Sequence, residues 1–338
     1  MRRVLSILVF ASCMIVAATN ALAFTNGAIL LTTPANARII AMGAVGVADN
    51  SDPSTIFFNP ANTCGIVRVY GLVAQQRYSE ELTNDLRLRK ANTGFSAQLG
   101  VQSPFSVGVD IGYSRLSYGE SILTDIEGNP VDTLTTYEDV VSLASGIAAR
   151  AGDTFEFRFG AAAKIWRGHF DEEFSATSFD AGFAIDIHER YGAWNIAPTF
   201  AASVLDMGQD IEVHDDTDPL PTRVNFGAAI RVESAPCEIL SARVPLLAVV
   251  CQAEGIKAVD NDYDGHEWGI GNEIAVAQIL FLRNGVRRYV NSDSSPTYAS
   301  WGVGAGIPAG PLRLRVDYAR QSNQFDKDHV DVLVELIF

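Results

Sequence analysis

The chain closes on LRLRVDYARQSNQFDKDHVDVLVELIF, residues 312–338, and the reading of this stretch decides the fold. From Leu312 to Tyr318 apolar side chains alternate with Arg313, Arg315 and Asp317. After a polar break the alternation resumes, with Val330, Val332, Val334, Leu336 and Phe338 on one side and Asp331 and Glu335 on the other. A period of two marks a strand, and two such runs across a polar loop make an antiparallel pair. Alternation alone does not say which face is wet. A soluble sandwich buries the apolar face, whereas a membrane barrel turns it to lipid and keeps the polar face inside.

Working outward, the same pattern recurs near 65–76, 92–101, 106–116, 139–150, 154–166, 176–188, 194–205, 222–233, 244–254, 265–276, 278–288, 298–307, 311–320 and 329–338. Each run has about the length of a transmembrane barrel strand. In FEFRFGAAAKIW, Phe155, Phe157, Phe159, Ala161, Ala163 and Ile165 fall on one face and Glu156, Arg158 and Lys164 on the other. Asn284 is one polar residue on the face assigned to lipid. Connections alternate between tight turns such as AGDT and IPAG and longer polar loops such as SYGESILTDIEGNPVDTLTTYED. That asymmetry fits an outer-membrane barrel with short periplasmic turns. SAPCEILSAR, 234–243, is long for the short-turn side. The expected fold is an all-β transmembrane antiparallel barrel of about 14 strands.

The start of the chain supports the same compartment. Met1-Arg2-Arg3, an apolar run and Ala21-Leu22-Ala23 read as a secretory signal peptide over 1–23. Beyond it no stretch approaches the ~20 apolar residues of a membrane helix. The formal net charge of -15 argues against a nucleic-acid partner. Cys64, Cys237 and Cys251 form no CxxC and no framework, and free thiols are expected; whether Cys237 and Cys251 pair stays open.

Residues 24–63 lack strand alternation and read as an N-terminal plug in or under the barrel mouth, leaving 64–338 for the barrel. Asn59-Pro60-Ala61 has helix-start chemistry, with Asn as cap and Pro at the first helical position. Met42-Gly43 offers a turn where backbones can approach closely. The stretch NARIIAMGAVGVADNSDPSTIFFNPA resembles the N-terminal signature of the PorV/PorQ outer-membrane proteins, which are related to FadL-type transporters. Ala37, Arg38, Met42, Gly43, Val47, Ala48, Asp52, Ser54, Asn59, Pro60 and Ala61 match it. Asn36 and Ala44 stand where that signature has glycine, and Pro53 separates Asp52 from Ser54. PTRVNFGAAIRV, GNEIAVAQILFLRNGVRRY and LRLRVDYAR are similar to later strands of the family.

The resemblance implies a barrel in the bacterial outer membrane with the motif residues in a structural plug, and Phe338 as the terminal signal read during insertion. It further implies a part in type IX secretion, with secreted cargo proteins and a sortase as partners. FadL-like relatives imply the alternative, passage of hydrophobic small molecules through a lateral opening, which requires an apolar path to a gap in the wall. Outer-membrane lipid is a partner on either reading. A purely structural or adhesive surface role is a third possibility, supported only by the acidic loops.

Other clusters read as less specific. Asp260, Asp262 and Asp264 mimic the start of a calcium loop, but the twelfth position is Gly271, where a bidentate Glu is needed. Solvated acids on a hairpin tip explain them as well. The inward charges, among them Asp110, Asp186, Arg231, Arg283 and Arg287, mix both signs and predict cross-strand ion pairs. No GxSxG occurs, and the five histidines fall in unrelated contexts, so neither an enzyme nor a cofactor is expected.

Overall fold

The structure is a computed structural model that describes residues 28–34, 36–64, 68–77, 87–99, 103–125, 127, 129–170, 172–213, 216–259, 265–291, 295–322 and 327–337. The expected signal peptide, the acids at 260, 262 and 264, and Phe338 lie outside these residues.

Strict alternation builds one antiparallel wall. Its strands are β1 (Arg68–Arg77), β2 (Arg87–Gln98), β3 (Phe105–Thr124), β4 (Pro130–Ala151), β5 (Phe155–His169), β6 (Glu173–Ile187) and β7 (Trp194–Gly208). They continue with β8 (Arg223–Ser234), β9 (Leu247–Ala258), β10 (Gly265–Val276), β11 (Leu280–Asn291), β12 (Thr297–Ala309), β13 (Leu312–Ser322) and β14 (Lys327–Ile337). Each pairs with its neighbours in sequence, and β1 pairs with β14, so the 14 strands close on themselves. Closure removes the sheet edges that would otherwise present unpaired backbone to lipid. No described helix is long and apolar enough to cross a membrane.

The faces separate by parity. Val73, Phe95, Ile111, Leu143, Phe159, Phe179, Ile274, Leu282, Val303 and Val332 are exposed on the outside, forming an apolar band round the wall. Glu156, Arg158, Lys164, Asp186, Arg283, Asp317 and Glu335 are buried inside. Exposure of this much aliphatic surface beside buried charge is the arrangement of a barrel in lipid. Asn284 does face outward, and Asn272 directly opposite donates its amide to the Asn284 oxygen at 3.2 Å, so the two outward amides meet part of each other's hydrogen-bonding need.

One loop reading is corrected and another is filled in. Residues 117–139, expected as a polar loop, are mostly the extended ends of β3 and β4, which run 20 and 22 residues and are offset by register shifts at Ser117/Gly119 and Leu123/Thr124. Beyond the membrane both faces of a hairpin meet water, so the alternation that marks a half-buried strand is absent. The long turn at 234–243 folds into its own hairpin, Pro236–Ile239 against Ala242–Pro245. Leu240 and Ser241 at its tip both have positive φ, and the Leu240 carbonyl accepts from Gly310 N at 3.1 Å. The hairpin thus passes the turn-side ends of β10 and β11 to reach the end of β12.

Candidate functional site: the filled lumen

Residues 28–34 and 36–64 lie inside the barrel. They include two short helices, α1 (Ile29–Thr32) and α2 (Ala37–Ala41), and two 3-10 turns, Pro53–Phe57 and Pro60–Thr63. The segment starts at the loop end of the wall and leaves at the turn end. Leu30 N donates to Glu138 of β4 near the loops, whereas Gly108 and Gly146, near the turns, lie against Thr63.

Local chemistry explains its shape. Asn36, one of the departures from the family signature, caps α2 by accepting from Ile39 N at 2.8 Å. Ala44, another departure, has φ 56°, the left-handed conformation for which glycine is the usual residue. Gly43 has φ 75°, and a Cβ there would run into the backbone of Val286 and Ile270. Asn59 accepts from Ala61 N at 2.9 Å to start the second 3-10 turn, with Pro60 at its first position.

Buried charge fastens residues 36–64 to the wall. Arg38, about 1% exposed, donates to Asp49 at 2.7 Å and to both carboxylate oxygens of Glu273 on β10 at 2.8 and 3.0 Å. Glu273 also accepts from Arg283 of β11 at 2.6 Å, and Arg283 reaches Asp317 of β13 at 2.6 Å. Arg315 bridges Asp317 and Asp52, and Arg231 meets Asp49 at 3.2 Å. Burial alone would raise the Asp52 carboxyl, but the guanidiniums of Arg315 and Arg38 overcome it and hold the group well below the usual carboxylate range. Asp49 is lowered in the same way, Arg38 and then Arg231 outweighing burial. Burial pushes the Cys64 thiol up to about 12, so it stays protonated; Cys64, Cys237 and Cys251 are all free.

Polar groups of the wall also reach the segment's backbone and amides. Ala37 N donates to Asp331 at 2.8 Å, and Gly46 N and Val47 N donate to one oxygen of Glu254 at 2.7 and 3.0 Å. Asn59 Nδ2 donates to the carbonyls of Val47 and Phe183 at 3.0 and 3.1 Å, and Arg158 donates to Asn62 Oδ1 at 2.5 Å. Where the two backbones press together the wall has glycine: Gly160 lies under Pro60, Gly182 under Asn59, Gly271 under Met42 and Gly285 under Gly43. Any Cβ at these inward positions would overlap the segment.

The structure therefore brings Ala37, Arg38, Met42, Gly43, Asp52, Ser54, Asn59, Pro60 and Ala61 together, all buried in the lumen. Ser54 and Asp52 bond each other and both accept from Asn36 Nδ2. The expected cross-strand ion pairs exist, as in Arg158–Asp186 at 2.6 Å, but several extend to Arg38, Asp49 and Asp52. The inward glycines went unread in the sequence although their parity with neighbouring inward charges marks them.

Residues 28–34 are held differently. Leu30 and Leu31 sit among Leu116, Val140, Trp166, Ala176, Ile211 and Leu220, an apolar basket at the loop end of the lumen. Beside it lies a cavity of about 30 Å³, room for a water or two, bordered by Leu30, Leu31 and Phe57 and by Lys90, Lys164 and Arg223. Between β6 and β7 the ladder shifts register at Phe179/Ala181, where Asp206 has φ 59°.

No known family profile matches the chain, and no curated protein matches it either. Solved structures do match. The deltaS2S3 mutant of TodX, a monoaromatic hydrocarbon channel, aligns over 90% of this chain and 99% of that chain at 10% identity with a TM-score of 0.52. The chain has the fold of that channel. A Pseudomonas aeruginosa FadL homologue aligns over 94% and 100% at 11% identity and TM-score 0.49, and the Ralstonia pickettii toluene transporter TbuX over 90% and 98% at 12% and 0.48. The fold shared with the TodX mutant agrees with the closed wall described above.

Proposed function

We propose that the chain is an outer-membrane channel for hydrophobic small molecules, in which residues 24–63 form the plug, 64–338 the barrel, and the start of the plug is the gate. The observation that carries this reading is the basket around Leu30 and Leu31. The protein already holds two of its own aliphatic side chains in an apolar site facing the loop end, where a hydrophobic solute arriving from outside would dock. Withdrawal of residues 28–34 would vacate a space of the kind that takes small apolar ligands, mostly hydrophobic with a few convergent polar groups. The TodX likeness supports the same solute class, because that protein is described as a hydrocarbon channel. The type IX role expected first gains no support from the comparisons, and hydrophobic passage takes its place; the lateral gap expected for such passage is closed in this structure, where every strand pairs with both neighbours.

The test uses Trp166, whose indole lies in the basket and donates to Glu138 at 2.9 Å. Titrating the detergent-purified barrel with an aromatic hydrocarbon should change Trp166 fluorescence, and Trp166→Phe should abolish that change. In cells lacking their own channel, the protein should raise hydrocarbon uptake. Unaltered fluorescence together with uptake equal to that of empty cells would refute the reading; co-purification of secreted cargo with a sortase would restore the first one.

A further inference from the structure

On the outside of the wall a row of charges across β2 to β5 breaks the apolar band. Strand register sets Arg89 of β2 directly opposite Arg115 of β3, Arg115 opposite Asp139 of β4, and Asp139 opposite Arg167 of β5. All four share the outward parity of the lipid-facing residues. Arg89 and Arg167 are exposed, and the Arg115 side chain is 41% exposed. One step toward the turns, the row holds Tyr113, Val141 and Ile165; one step toward the loops, it holds Tyr137 and His169. Tyrosines bracketing an apolar band mark the membrane–water interface, so the arginines stand at headgroup height in the leaflet nearest the loops.

The row is organised and carries a surplus of positive charge. Arg115 makes a two-pronged pair with Asp139, both distances 2.6 Å, Tyr113 donates to the same carboxylate at 2.8 Å, and Arg115 lies 4.1 Å from the Tyr137 ring centroid. Asp139 is thus committed to Arg115. Among the described residues neither Arg89 nor Arg167 makes an ion pair, in a chain whose net charge is -15. Like charges directly opposite across strands repel, and Arg89 against Arg115 is such a pair. It calls for an external anion.

Guanidinium forks match phosphate. Arg89 and Arg167 stand three strand spacings apart, about 14 Å, too far for one phosphate to reach both. We propose that this row is a binding site for a membrane lipid carrying two phosphate groups, seated with its acyl chains on the apolar rows below and its phosphates between the arginines.

The test is native mass spectrometry of the full barrel in detergent, titrated with diphosphorylated lipid A or with phosphatidylcholine. Arg89→Gln/Arg167→Gln leaves the Arg115–Asp139 pair intact. It should weaken lipid A retention by about thirtyfold, the effect of two cations at an anionic surface. Lys257→Gln/Arg288→Gln removes two exposed cations on the far side of the wall and should change retention by less than about twofold on the same scale. Equal losses in the two variants, or none in the first, would overturn the site. So would phosphatidylcholine binding as tightly as lipid A, or full competition by inorganic phosphate, which would make the ligand a free anion.

Discussion

Residues 28–34 and residues 36–64 occupy the same lumen but are held there by different forces. The first stretch makes a few bonds in which the wall supplies the side chain: Glu138 accepts from Leu30 N, Arg223 donates to the Leu31 carbonyl at 2.6 Å, and Lys90 donates to the Thr33 carbonyl at 2.9 Å. Apolar packing adds to these bonds, and a hydrophobic ligand can replace that packing in kind. The second stretch contributes its own charges, Arg38, Asp49 and Asp52, to a network spanning β8, β10, β11 and β13, and is seated on wall glycines. Such a network is costly to break because each partner left behind is a buried charge. A difference of this kind lets one part of a plug move while the other stays.

The largest expected effect comes from removing the seat. Gly285→Val puts a side chain into the backbone of Met42 and Gly43. Overpacking costs about 1–3 kcal/mol where neighbours can adjust, and here backbone meets backbone. The segment should leave the lumen, read as ion conductance in planar bilayers where the parent barrel is closed. Arg38→Met comes next. It takes one of two guanidiniums from each of Asp49 and Glu273, which keep Arg231 and Arg283, and stability in urea should fall by about 3 kcal/mol, the low end for a broken buried pair, whereas hydrocarbon uptake should not improve. Leu31→Ala should cost about 2 kcal/mol and speed uptake. If Arg38→Met and Leu31→Ala affected uptake alike, the distinction between anchor and gate would fail.

Acid gives the smallest effect near neutrality. Asp49 and Asp52 are depressed in the folded state, so their contribution is complete above the ordinary carboxylate value of about 4 and is lost only as pH falls through the lower folded values. The part of the conductance response that Asp49 and Asp52 supply, read as the difference between the parent and Asp52→Asn, should therefore be absent between about pH 7 and 5 and develop only below about 4. Asp52→Asn should flatten that acid response.

The wall was legible because its two faces meet opposite media, so every second residue carries the signal; Phe155 to Ile165 and Leu312 to Tyr318 show it plainly. The extended ends of β3 and β4 were not, since Ile122, Val131 and Asp132 all face water and no face differs from the other. The motif residues could be picked out along the chain, and the cap at Asn59 was visible from Asn-Pro-Ala. Their partners were not, because Glu273 and Arg315 lie more than two hundred residues away in the chain and only register brings them to Arg38 and Asp52. The outward arginine row escaped for the same reason: each member is unremarkable until four strands are aligned.

The wall glycines bear on how the cylinder keeps its shape. The segment from Asn36 to Cys64 touches β3, β5, β6, β9, β10, β11 and β14 from within, while β1 closes on β14. It therefore ties strands on opposite sides of the ring to one another, as spokes hold a rim, and the glycines are the sockets in which those spokes seat.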